Sequence, residues 1–125
     1  MSMAVDLELK KAFTELQQKM LETTQKVKLA DIQIETLKRA KQRADLTTFE
    51  IKNLAEDTKT YESLGRIFIQ TPIPTVLEHL NSRSVTCTEQ IKTLENNKVL
   101  LEKSMKESEN NLREMVQQRK EKQEK

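Results

Sequence analysis

Catalysis in this sequence would have to begin with one histidine, one cysteine and twenty carboxylates. A histidine can hold a metal or move a proton, and a cysteine thiolate can attack an electrophilic carbon. His79 stands near a helix start among charged residues, and no cysteine or second histidine lies at ligand spacing, so no metal site is expected. Cys87 falls in line with apolar residues at helical spacing, where a thiol acts as a small buried side chain rather than a nucleophile. Having no partner, it makes no internal disulfide, which suits a reducing, intracellular compartment. Neither GxGxxG nor a phosphate-loop pattern occurs. The carboxylates alternate with lysines at i+4, the pattern of a solvated helix face, and a catalytic pair would need a pocket. The expectation is no enzyme activity and no cofactor.

The elements that carry these residues explain why chemistry is missing. Hydrophobic residues make up 35% of the 125, charged residues 34% and aromatics 3%, too little apolar bulk for an ordinary core but enough for long helices with a narrow buried stripe. From Leu9, steps of four and three land on Phe13, Leu16, Met20, Thr23, Val27, Ala30, Ile34, Leu37, Lys41 and Ala44. From Leu77, the same walk gives Leu80, Ser84, Cys87, Ile91, Leu94, Lys98, Leu101, Met105, Ser108, Leu112 and Met115. Each is the 3.5-residue repeat of a coiled-coil seam. The expected fold is all-α dominated: a long antiparallel two-helix coiled coil with one central β-hairpin, in a single domain over 1–125. Folding back about the middle pairs Leu9 with Leu112, Val27 with Leu94 and Ala44 with Leu77 in one unbroken register. Thr23 against Lys98 and Lys41 against Leu80 would be its polar layers.

The first helix is expected over about 6–45 and the second over about 74–120, with Pro74 suiting its first turn. Between them, Thr47 and Glu50 have the spacing of a capping box, and Leu46 and Ile51 that of a hydrophobic staple, so a short helix is expected over about 48–57. Next comes "TKTYESLGRIFIQTPIP", with the only glycine, the only tyrosine and both prolines. It reads as a hairpin over about 58–71, with Gly65 in the turn. In "RIFI" the apolar residues are consecutive, so both strand faces need covering. A lone hairpin is marginal in water, and its open edges invite other chains. It reads either as an assembly element or as a local cap on the helix ends.

At the opposite pole both termini meet, where Met3, Val5, Leu7, Ala12 and Val116 are apolar off the seam. Ordinary end packing and an exposed, adaptable contact surface both fit them. Net charge is +2, with acid and base interleaved. A basic cluster at Arg39–Arg43 lacks interleaved aromatics, so nucleic acid is not an expected partner. No apolar run approaches the ~20 residues that span a bilayer, and "MSMAVDLELKKAF" lacks the layout of a secretory signal.

The chain resembles a β-class subunit of the prefoldin family. The likeness runs from about Val5 to Arg119 and rests on "VDLELKKAFTELQQKM", "QKVKLADIQIETL", "YESLGRIFIQ" and "LEKSMKESENNLREM". β-class subunits carry one hairpin between their helices and α-class subunits two; this chain has room for one. The resemblance implies a cytoplasmic, ATP-independent hetero-hexamer of two α-class and four β-class subunits, joined by hairpins into a double β-barrel. Its coiled-coil tips would hold unfolded proteins, actin and tubulin among them, and deliver them to the cytosolic group II chaperonin. On that basis client contact is expected at Val5, Leu7, Phe13, Leu16, Leu112, Met115 and Val116. Assembly is expected at Tyr61, Leu64, Gly65, Ile67, Phe68 and Ile69. The alternative is a self-associating coiled-coil adaptor or scaffold bridging two partners, which accounts for the seams but gives "RIFI" no purpose.

Overall fold

The computed structural model describes the backbone of residues 3–124 and the side chains of residues 7–122. Helix α1 spans Met3–Lys52, strand β1 Thr60–Leu64, strand β2 Ile67–Thr71 and helix α2 Ile73–Glu124. Contacts divide the chain into two compact units. One joins α1 up to Asp31 with α2 from Glu95; the other runs Ile32–Leu94 and contains the hairpin.

In the first unit, Glu8 meets Arg119 and Asp31 meets Lys98, while Lys19 lies between them opposite Ser104 and Ser108. Numbers rise on one helix as they fall on the other, so the helices are antiparallel. In the second unit, the Ser84 hydroxyl donates to the Asp45 carboxylate at 2.9 Å. The expected pairing is therefore displaced by about one heptad: Leu112 shares a groove with Leu16 rather than opposing Leu9. A seven-residue repeat superposes on itself after a one-heptad slip, so apolar spacing alone cannot set the register. Short polar pairs such as Asp45 with Ser84 can, because neither side chain reaches across a full heptad. The expected polar layers change accordingly, with Lys98 bonded to Asp31 at 2.8 Å and Lys41 to Asp45 at 3.3 Å.

The seam on α2 follows the expected positions closely: Cys87 and Leu112 are buried, and Leu80, Ser84, Ile91, Leu94, Lys98, Leu101, Met105, Ser108 and Met115 are half-buried. On α1, Ala30, Ile34 and Ala44 are buried as expected. Nearer the N-terminus the stripe shifts. Ala12 and Lys19 are half-buried where Phe13 and Met20 were expected, and those two are exposed. The steps from Leu9 run three, four, three, four, four, and two fours in succession are the mark of a local unwinding of the coil.

The separate helix over 48–57 does not form, because α1 runs without a break to Lys52. Instead of capping a new helix, the Thr47 hydroxyl donates to the Arg43 carbonyl at 2.7 Å and Thr48 to the Ala44 carbonyl at 2.8 Å. A threonine hydroxyl can bond back one turn as well as cap forward. The helix ends where Asn53 and Leu54 donate to the carbonyls of Glu50 and Ile51, a tightening to i→i+3 bonds. Helix α2 begins at Ile73, one residue before the expected start, with the Pro72 carbonyl accepting the Val76 N–H. Pro74 is tolerated there because N–H groups of a first turn have no helical partner.

Candidate functional site

The hairpin is built on a two-residue turn. Its strands pair antiparallel, Thr60 with Thr71, Glu62 with Ile69 and Leu64 with Ile67, which leaves Gly65 and Arg66 as the loop. Gly65 has φ of 63°, and no non-glycine among the described residues has positive φ. Positive φ at the first loop residue alone is the signature of a type II′ turn, whose twist matches that of the strands. The hairpin starts two residues later than the range expected from sequence and ends where expected, at Thr71. At the base, Thr71 is buried and the Thr60 hydroxyl donates to its carbonyl. His79 Nδ1 lies 2.8 Å from Glu62 Oε1, tying β1 to α2.

Above this base nothing among the described residues covers the strands. Tyr61, Leu64, Ile67, Phe68 and Ile69 are all exposed, Phe68 at 72%. Alternate residues of a strand point to opposite faces, so Phe68 projects from one face and Ile67 and Ile69 from the other. Both faces of β2 are therefore apolar and bare. The two-stranded sheet also leaves two edges unpaired. The five side chains and Gly65 expected to drive assembly thus come together on one small element, with no seam role.

The seven residues expected to meet clients divide differently. The Val5 side chain lies outside the described residues. Leu7, Phe13 and Val116 are exposed, Leu16 and Met115 half-buried, and Leu112 buried at 9%. Phe13, Leu16, Leu112 and Val116 line one open groove of about 570 Å³. Leu16, Leu112 and Met115 line a second, of about 250 Å³, together with Lys19. Leu112 forms the floor between them rather than a free surface. Met20 and Leu21, both exposed in the same unit, were missed because the expected seam hid the first and no pattern singled out the second. The drift of the stripe toward Ala12 and Lys19 frees Phe13 and Met20.

Cys87 is buried in the seam, and His79 is spent on Glu62. Among the described residues no group of three or more His, Cys, Asp or Glu could hold a metal ion, and no helix is long and apolar enough to cross a membrane.

A coiled-coil hairpin with a bare apolar β element defines a subunit made to be completed by other chains. Comparison with known proteins gives that class a family. The family model described as prefoldin subunit matches residues 14–119. The chain belongs to the prefoldin family and is a subunit of the prefoldin chaperone. It is 51% identical to prefoldin subunit 1 of Mus musculus over 119 residues, covering 95% of this chain and 98% of the relative. Identity to prefoldin subunit 1 of Arabidopsis thaliana is 41%, over 86% of this chain and 84% of that one. Among solved structures, the prefoldin beta subunit from Thermococcus strain KS-1 has the same fold, with a TM-score of 0.70 at 18% identity over 86% of this chain and 90% of that chain. The expected all-α architecture with one hairpin is therefore the fold of a prefoldin beta subunit, and the chain assembles with other prefoldin subunits.

Proposed function

We propose that the chain is one of four β-class subunits which, with two α-class subunits, form a cytoplasmic hexamer that captures unfolded proteins and hands them to the cytosolic group II chaperonin. Actin and tubulin are the client class. The observation carrying this reading is β2, with large apolar side chains bare on both faces and no third strand among the described residues to cover them. Burying such a side chain is worth about 1.5–3 kcal/mol, so several per subunit favour a closed multi-chain barrel. A self-associating adaptor leaves that surface without a use.

Capture is proposed for the unit that holds the chain ends, through Val5, Leu7, Phe13, Leu16, Met115 and Val116, with Leu112 as support beneath them. Each contact is apolar and poorly directional, so each is weak and tolerant of client sequence. Several such ends around one client raise the combined affinity by about 10²–10⁴-fold when the client spans them. Weak single contacts also permit transfer without nucleotide hydrolysis.

The test is suppression of client aggregation by the reconstituted complex. Removing residues 1–8 and 112–125 from this chain is expected to leave assembly intact and to weaken suppression. Removing the matching ends of all six subunits is expected to abolish it. Full suppression by the fully trimmed complex would move the client site elsewhere.

A further inference from the structure

The last turns of α1 carry apolar side chains on two faces. Ala44, Thr48 and Ile51 lie on the buried side, Ala44 at 3% exposure. Leu46 and Phe49 lie on the other, at 58% and 67%, three residues apart and so neighbours on the helix surface. Leu54, also exposed, follows just past the helix end. None of the three belongs to the seam or to the hairpin register. A surface helix ordinarily confines its apolar residues to one stripe, and a second stripe needs a second covering.

Strand β2 is in the same condition, apolar on both faces, and only the connector 53–59 separates α1 from β1. Both elements sit in one compact unit. Helix α1 runs unbroken through Phe49 to Lys52, so Leu46 and Phe49 are displayed on a regular element. Arg43, Asp45, Glu50 and Lys52 surround the patch with both signs of charge. A mixed rim around an aromatic anchor fits a protein surface. It does not fit a polyanion or an anionic membrane, which would call for one sign.

We propose that Leu46, Phe49 and Leu54 form a second, helical part of the subunit interface, covered by the neighbouring prefoldin subunit that also takes up the hairpin. The inference rests on the assembly proposed above and extends it from the strands to the helix. The neighbour is the occupant because the patch lies a seven-residue connector away from the hairpin proposed to join the subunits, and in the same compact unit.

The experiment pairs two variants in the complex reconstituted with partner subunits. Leu46→Gln combined with Phe49→Gln replaces exposed residues with a good helix former, so the lone chain should keep its helicity. Its hexamer is expected to form but to dissociate on dilution at a concentration about tenfold higher than wild type, as for loss of an aromatic anchor. An unchanged dissociation curve would overturn the inference, as would unchanged assembly with lost client suppression. Phe68→Asp, run alongside, separates this from the parent reading. If it blocks assembly while the glutamine pair is silent, only the helical extension fails; if it too leaves the hexamer intact, the hairpin assignment fails first. A second readout uses the absence of tryptophan from the chain. Emission of Phe49→Trp, taken as a difference from the unsubstituted complex, is expected to shift to shorter wavelength when partners are added. No shift would mean the position stays in water.

Discussion

At Gly65 the backbone holds φ of 63°, and a Cβ built there would meet nothing within 4 Å. The penalty for a side chain is then conformational alone, about 1–2 kcal/mol for an L-residue in the left-handed region. Gly65→Ala is expected to speed hydrogen exchange across 60–71 and to weaken assembly, while helix unfolding stays put. Unchanged exchange would contradict the turn assignment. Asp45 offers a pH test. The Ser84 hydroxyl, and after it Lys41, bond its carboxylate and hold its pKa below the usual value of about 3.9. A depressed folded pKa contributes stability above the unfolded value and loses it as pH falls through the folded one. The stability gap between wild type and Asp45→Asn should therefore be widest near neutrality and close below about pH 3.9. At the basic end, the hydrogen bond to Asp31 raises the Lys98 pKa. Its contribution is complete below the ordinary lysine value of about 10.4 and is lost as pH rises through the raised one. Asp31→Asn should remove that alkaline loss. A gap independent of pH in either case would show that the bonds to that carboxylate are unformed in solution.

Among the elements, the helices were legible because their apolar spacing is long and regular. Ile34, Cys87 and Leu112 sit buried where that spacing put them. Ile34→Ala should lower the unfolding free energy by about 2–4 kcal/mol, measured by urea denaturation; a loss below about 1 kcal/mol would place Ile34 outside the packed seam. Register was not legible, since each heptad looks like the next and the deciding groups pair an acid beside the α1 stripe with a polar residue in the α2 stripe, Asp45 with Ser84 and Asp31 with Lys98. Thr47 and Glu50 misled for a related reason. The motif marks a helix start only when the chain before it is not already helical, and here α1 arrives intact. In the hairpin, Gly65 and the run of apolar residues after it were enough to place the turn to within two residues; Ser63 and Leu64 stay in β1 and Arg66 completes the loop. Phe13 and Met20 were misplaced because the stripe changes phase near Thr23, where Ala12 and Lys19 take the inner positions.

For the whole molecule, the proposed division of labour follows from where apolar surface is left bare. One unit holds the hairpin and the Leu46–Phe49 patch; the other holds the chain ends with Phe13, Met20 and Val116 exposed. A single chain gains nothing from either surface, since each costs solubility until it is covered. In the function proposed above, partners of fixed identity cover the first and transient clients the second. The most direct test is to weigh the products of expressing this chain alone and together with the other prefoldin subunits by native mass spectrometry. The account predicts ill-defined or aggregating species from the lone chain and one discrete hexamer, with this chain in it, from the mixture. A stable homodimer that ignores the partners would contradict it.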